Sequence, residues 1–236
     1  PTLVNTGDGN DAAKARVEID FGQSTDLPTG NETRTIEFWA YVLTTSWAGD
    51  KNTTFFYGTN NRVADGFGLD FGGVKGTIDP FTNAIFDNDD QPTGLDADKD
   101  QWLHLAMTWD GTAVRAFVNG TQKAMKASSE AQKTLMTGRT PLIVGSYPSN
   151  YFNGKIDELR IWNVARSAAD ITATMNHTLV GNEAGLTGYW KFDEKSGTTA
   201  ADSVTTAGHM AHNGTLMANS PAELPTWVPG PPLMCP

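Results

Sequence analysis

Along most of the chain apolar and polar residues alternate with a period of two, in short runs separated by clusters of Gly, Asn, Asp and Thr. That period marks a half-buried strand, because successive side chains leave a pleated backbone on opposite faces. The clearest runs predict strands at 16–21, 35–43, 53–58, 66–71, 102–109, 113–118, 141–145, 155–162 and 187–192. In the second of these, Ile36, Phe38, Ala40 and Val42 fall on one face and Glu37, Trp39 and Tyr41 on the other. One face packs into a core, and the other carries aromatics as well as charge.

The run from Trp102 to Trp109 passes through Asp110-Gly111 into Ala113–Val118 and then reaches Asn119-Gly120. Both dipeptides accept the positive φ of two-residue hairpin turns, so this stretch predicts a β-meander with two tight reversals. One segment departs from the pattern. Ser167 is placed to cap a helix over 168–176, in which Ile171 and Met175 stand at i and i+4. The expected class is all-β, a two-sheet antiparallel sandwich with one short surface helix.

A chain of 236 residues with 39% hydrophobic residues can bury one sizeable core, so a single domain is expected over residues 1–219. Residues 220–236 hold six of the twelve prolines and show neither period, which reads as a Pro-rich tail or linker. A net charge of −10 repels phosphate backbones and anionic membranes, so nucleic acid is not an expected partner. No apolar run is long enough to cross a bilayer, so no membrane insertion is expected. The lone Cys235 excludes an internal disulfide. Five Asn-X-Thr triplets begin at Asn31, Asn52, Asn119, Asn176 and Asn213, and would suit N-glycosylation of a secreted protein.

Three stretches resemble the laminin G-like group of the concanavalin A-like lectin/glucanase superfamily. They are Thr35–Val42, Trp102–Gly111 with the Phe117–Gly120 hairpin, and Phe152–Asn163 followed by the 165–171 helix segment. The resemblance implies a jelly-roll sandwich. A fourth stretch, Gly188–Ser203 with His212–Leu216, is similar to the family's opening strand and loop, yet here it follows the helix. Either strand 187–192 closes the sheet near the N-terminal strand of the same chain, or it is donated between tandem or self-associating copies.

The chemistry is sparse. Glycoside hydrolysis needs two carboxylates flanking one bond, and no strand carries such an alternation; Asp157 and Glu158 are adjacent and expected on opposite faces. His104 is the one strand-borne base that a lyase could use, and it reads as a structural residue on a solvated or hydrogen-bonded face. No catalytic residue is expected. The family-like loops suggest a Ca²⁺ site from Asp8, Asp157, Asp202 and Asn213, since hard cations take oxygen ligands from Asp- and Asn-rich loops. Sugar stacking requires exposed rings, for which Tyr147, Tyr151, Trp47 and Tyr57 are the candidates. The expected function is a non-catalytic binding or adhesion module, extracellular or at the cell surface, recognising a glycan or an extracellular protein. The alternatives are a structural repeat unit of an extracellular assembly and, third, a carbohydrate-active enzyme.

Overall fold

A computed structural model describes residues 2–6, 15–43, 52–59, 65–72, 77–82, 100–123, 134–147, 150–231 and 233. The strands run β1 (Thr2–Thr6), β2 (Arg16–Ile19), β3 (Arg34–Val42), β4 (Asn52–Gly58), β5 (Gly66–Gly72), β6 (Thr77–Phe81), β7 (Trp102–Trp109) and β8 (Val114–Val118). They continue as β9 (Thr121–Gln122), β10 (Leu142–Val144), β11 (Ser146–Tyr147), β12 (Asn150–Tyr151) and β13 (Asn153–Trp162). After helix α1 (Ala168–Thr174) come β14 (Leu186–Trp190), β15 (Thr199–Ala200), β16 (Gly214–Met217) and β17 (Thr226–Val228).

Two antiparallel sheets result. The first is ordered β17-β1-β13-β3-β7-β8-β9, with β14 also on β13; the second is β15-β16-β2-β10-β4-β5-β6. Ile36, Phe38, Ala40 and Val42 of β3 and Leu103, Leu105, Met107 and Trp109 of β7 face Val17, Ile19, Phe55, Leu69, Leu142 and Val144 of the second sheet. Each such burial is worth about 1.5–3 kcal/mol, which is what holds the two layers together.

The period-two pattern fails at one place that matters. β13 pairs with β3 as far as Asp157↔Trp39, slips, and resumes at Arg160↔Glu37, with Glu158 at φ 53°. This bulge adds a residue, so Ile156, Leu159 and Ile161 enter the core. Asp157 and Glu158 do not divide between the faces: Asp157 stands opposite Trp39 and Glu158 bonds Arg160, both on the face turned from the core.

β1 pairs with 153–156 of β13 and β14 with 159–162, so the two lie end to end along one side of that strand. β16 pairs with β2 in the other sheet. The tail is also partly built in: β17 pairs with β1, and Trp227 packs on Phe192 with ring centroids 6.4 Å apart.

Helix α1 starts where Ser167 and Asp170 form a reciprocal capping box, and its buried Ile171 packs on Ala106 and Phe117 of the first sheet. The helix therefore covers part of that sheet's outer face and leaves the rest open.

Candidate ligand-binding surface

Under α1 the outer face is charged and buried. The Trp162 indole and Arg166 both donate to Glu37 Oε1, at 3.0 and 2.7 Å, and the Arg166 guanidinium lies 4.0 Å above the Trp162 ring. Arg160 donates to Glu158 at 2.7 Å and to the His177 carbonyl at 2.5 Å, and sits 3.6 Å from Glu37. Burial pushes the Glu158 carboxyl upward, against the pull of Arg160 and of the Tyr189 hydroxyl that donates to it at 2.6 Å. Two acids thus share one guanidinium, but both are sealed from solvent.

His104 adjoins this network. It is buried, not solvated, and neither ring nitrogen has a hydrogen-bond partner among the described residues. Burial, then the Arg160 and Arg166 charges, hold its pKa well below the ordinary imidazole value. Its ring meets Trp39 edge to face at 5.4 Å. A neutral, shielded imidazole of this kind does not serve as an accessible base.

Beyond the helix the same face is aromatic. The register sets Lys155, Tyr41 and Trp102 side by side on β13, β3 and β7, and in the next row Asp157, Trp39 and His104. Tyr41 and Trp102 meet at 5.6 Å and 70°, and the Lys155 ammonium lies 4.8 Å from the Tyr41 ring centre. The three rings and the lysine are half-buried, so each keeps some surface open. Trp39 is fixed by donating to the Met175 carbonyl at 2.8 Å, just past α1. Gly154 lets the two strands close here, since a Cβ at that position would stand 2.3 Å from the Tyr41 carbonyl. Rings held on central strands need no ordering before they meet a ligand.

The residues named from sequence fare differently. Tyr57 is not a surface platform: it lies in the core, donating to the Pro28 carbonyl at 2.9 Å and accepting from Arg34 at 2.6 Å. Tyr147 and Tyr151 fall on the small β11–β12 hairpin, opposite Asn150 and Ser146. Trp47 and Asp8 lie outside the described residues. Asp202 and Asn213 do meet, the Asp202 amide donating to Asn213 Oδ1 at 3.0 Å. The Asp202 carboxylate, however, accepts from the Tyr189, Val204 and His212 amides and lies 2.8 Å from His209 Nε2. Its oxygens are committed to the loop. Asp157 is buried on β13, and its Oδ1 accepts from the Glu158 amide. Among the described residues no group of three His, Cys, Asp or Glu side chains is placed to hold a metal ion.

Of the sequons, Asn31, Asn119 and Asn213 are exposed, Asn176 is half-buried in the turn after α1, and Asn52 opens β4. Asn31 and Asn119 also brace the fold, accepting from the Leu135 and His104 amides. Sequence reasoning did not single out Tyr41 and Trp102 as ligand contacts. The outward phase of Tyr41 was visible in β3, but its pairing with Trp102 depends on a register that the sequence does not print.

A laminin G-type family profile, described as the concanavalin A-like lectin/glucanases superfamily, matches residues 11–172. Mouse pappalysin-1 is 31% identical over 116 residues, 43% of this chain and 7% of that protein. Human pappalysin-1 is 31% identical over 84 residues, 32% of this chain and 5% of that protein. The chain therefore spans less than a tenth of the curated relatives it matches. A solved Bacteroides ovatus protein, whose assignment as carbohydrate-binding is itself an inference, superposes with a TM-score of 0.62 at 20% identity, covering 93% of this chain and 58% of that one. At that identity the likeness speaks for the fold. With the profile spanning more than half of the sequence and the two packed sheets in place, the chain belongs to the concanavalin A-like lectin/glucanase superfamily.

Proposed function

We propose that this domain is a non-catalytic glycan-binding module acting outside the cell, with the strip Trp39, Tyr41 and Trp102 as its sugar platform. The observation that carries the reading is the half-exposed Tyr41–Trp102 pair on rigid central strands, with Lys155 beside it. The CH face of a pyranose packs on an aromatic ring and buries apolar area, while a neighbouring ammonium can donate to the hydroxyls.

The non-catalytic part rests on Glu37 and Glu158. With Asp157 they are the acids that this face brings together among the described residues; all three are buried, the two glutamates bound to arginine and Asp157 holding the Glu158 amide, where no sugar can reach them. Exposed sequons at Asn31, Asn119 and Asn213 are consistent with an extracellular setting.

A glycan array, followed by reducing-end and unsaturated-product assays on every hit, tests both halves. The expected result is saturable binding to a defined set of glycans with no bond cleaved. Turnover of a bound glycan, or an array without hits, contradicts the proposal.

A further inference from the structure

We infer that the loop end of the sandwich holds a second binding site, a cleft for a neutral, hydroxyl-rich ligand such as an unmodified hexose or pentose chain. It uses none of the residues of the aromatic strip, so it goes beyond the reading above. The cleft, of about 1040 Å³, lies between the loop after β2, the segment leading into β14 and the loop joining β15 to β16.

Much of its charge chemistry is already committed. Asp20 accepts from the Gly22 amide at 2.8 Å. Both Glu183 oxygens accept backbone amides, from Val180 at 2.8 Å and Gly181 at 2.9 Å. Asp26 Oδ2 accepts from Ser24 Oγ and lies 2.9 Å from His212 Nε2. Among the described residues, no Lys or Arg lines the cleft. The cleft lining therefore holds no cation aimed at a ligand: His209 and His212 face Asp26 and Asp202, and Arg139, at the rim, donates to the Ser24 carbonyl.

What remains open is neutral and polar. The side-chain amides of Gln23, Asn163 and Asn182 and the hydroxyls of Thr25 and Thr206 line the cleft without a hydrogen-bond partner among the described residues. An amide presents donors and an acceptor together, and a sugar hydroxyl does the same, so the two match in either orientation. Met210, 69% exposed, adds a pliable apolar contact at the same site. The volume reaches the top of the range of about 300–1,000 Å³ usual for small-ligand sites, which suits a chain of sugars better than one ring.

The test is an NMR titration of the whole domain with cellohexaose, laminarihexaose, mannohexaose and arabinohexaose, with trigalacturonate as the acidic control. At least one neutral hexasaccharide should shift the Gln23, Asn163 and Asn182 side-chain amide signals saturably, and trigalacturonate should not. The double substitution Asn163→Ala/Asn182→Ala should weaken that isotherm about tenfold while leaving any Trp102 indole response unchanged. If the amides stay still while the Trp102 signal moves, the cleft site falls and the platform stands. If the amides move and Trp102 does not, the platform falls and the cleft stands. Equal response to trigalacturonate, no effect of the double substitution, or silence from both sites overturns the inference.

Discussion

Glu37 Oε1 lies 2.7 Å from Arg166 Nη1 and 3.0 Å from Trp162 Nε1, so one buried oxygen joins β3 to β13 and to the segment entering α1. Arg166 depends on this carboxylate for counter-charge, and Arg160 shares it as a second partner beside Glu158. Neutralising it as Glu37→Gln leaves buried guanidinium charge uncompensated, which costs about 3–5 kcal/mol. Urea unfolding at neutral pH should show that loss; a change below about 1 kcal/mol would mean that the network contributes little to holding the face together.

His104 gives a pH dependence of definite sign. Its folded pKa is depressed well below 6.5, so on acidification the unfolded chain takes up a proton that the native state refuses. The stability it supports is complete above the unfolded value and is lost as pH falls from there toward the folded value, by up to about 1.4 kcal/mol per pH unit. The raised Glu158 pKa works in the opposite sense, because the native state keeps a proton that the unfolded chain has released. To the extent that Glu158 is unaffected by the change, its contribution cancels between wild type and His104→Leu. The variant also removes two unpartnered buried nitrogens, so it should be at least as stable as wild type at pH 7 and gain steadily on it from pH 6.5 to 5. Parallel stability curves would show that His104 is not held neutral.

Ser167→Ala removes the hydroxyl half of the capping box, leaving the backbone amide of residue 167 on the Asp170 carboxylate, and should cost about 1 kcal/mol. Amide exchange in α1 should speed up, and Trp39, whose indole is tied to the Met175 carbonyl, should show altered fluorescence. Unchanged exchange in α1 would mean that the helix is held by Ile171 alone.

How legible this was differs between residues. β7 was readable to the residue because Leu103, Leu105, Met107 and Trp109 alternate without interruption, and the helix start was readable from Ser167. β9 and β15 were not, since strands of two residues carry no measurable period, and β17 was not because it stands in the Pro-rich tail. The bulge at Glu158 was invisible because a left-handed glutamate has no sequence signature, and with it went the true facing of the Asp157-Glu158 pair. Tyr57 misled for a related reason: a tyrosine in an alternating strand looks the same whether its hydroxyl reaches water or, as here, a buried carbonyl and Arg34. Asp202 lies in the expected loop beside the expected Asn213, yet which donors saturate it depends on the folded loop.

The account turns on whether sugar rests on the Tyr41–Trp102 pair, and calorimetry answers this most directly. Wild type and Trp102→Ala would be titrated with the strongest array ligand after their melting temperatures are shown to agree. Loss of one stacking ring should weaken binding about tenfold or more, with a similar loss for Tyr41→Ala. Affinity equal to wild type in a folded Trp102→Ala protein would contradict the account.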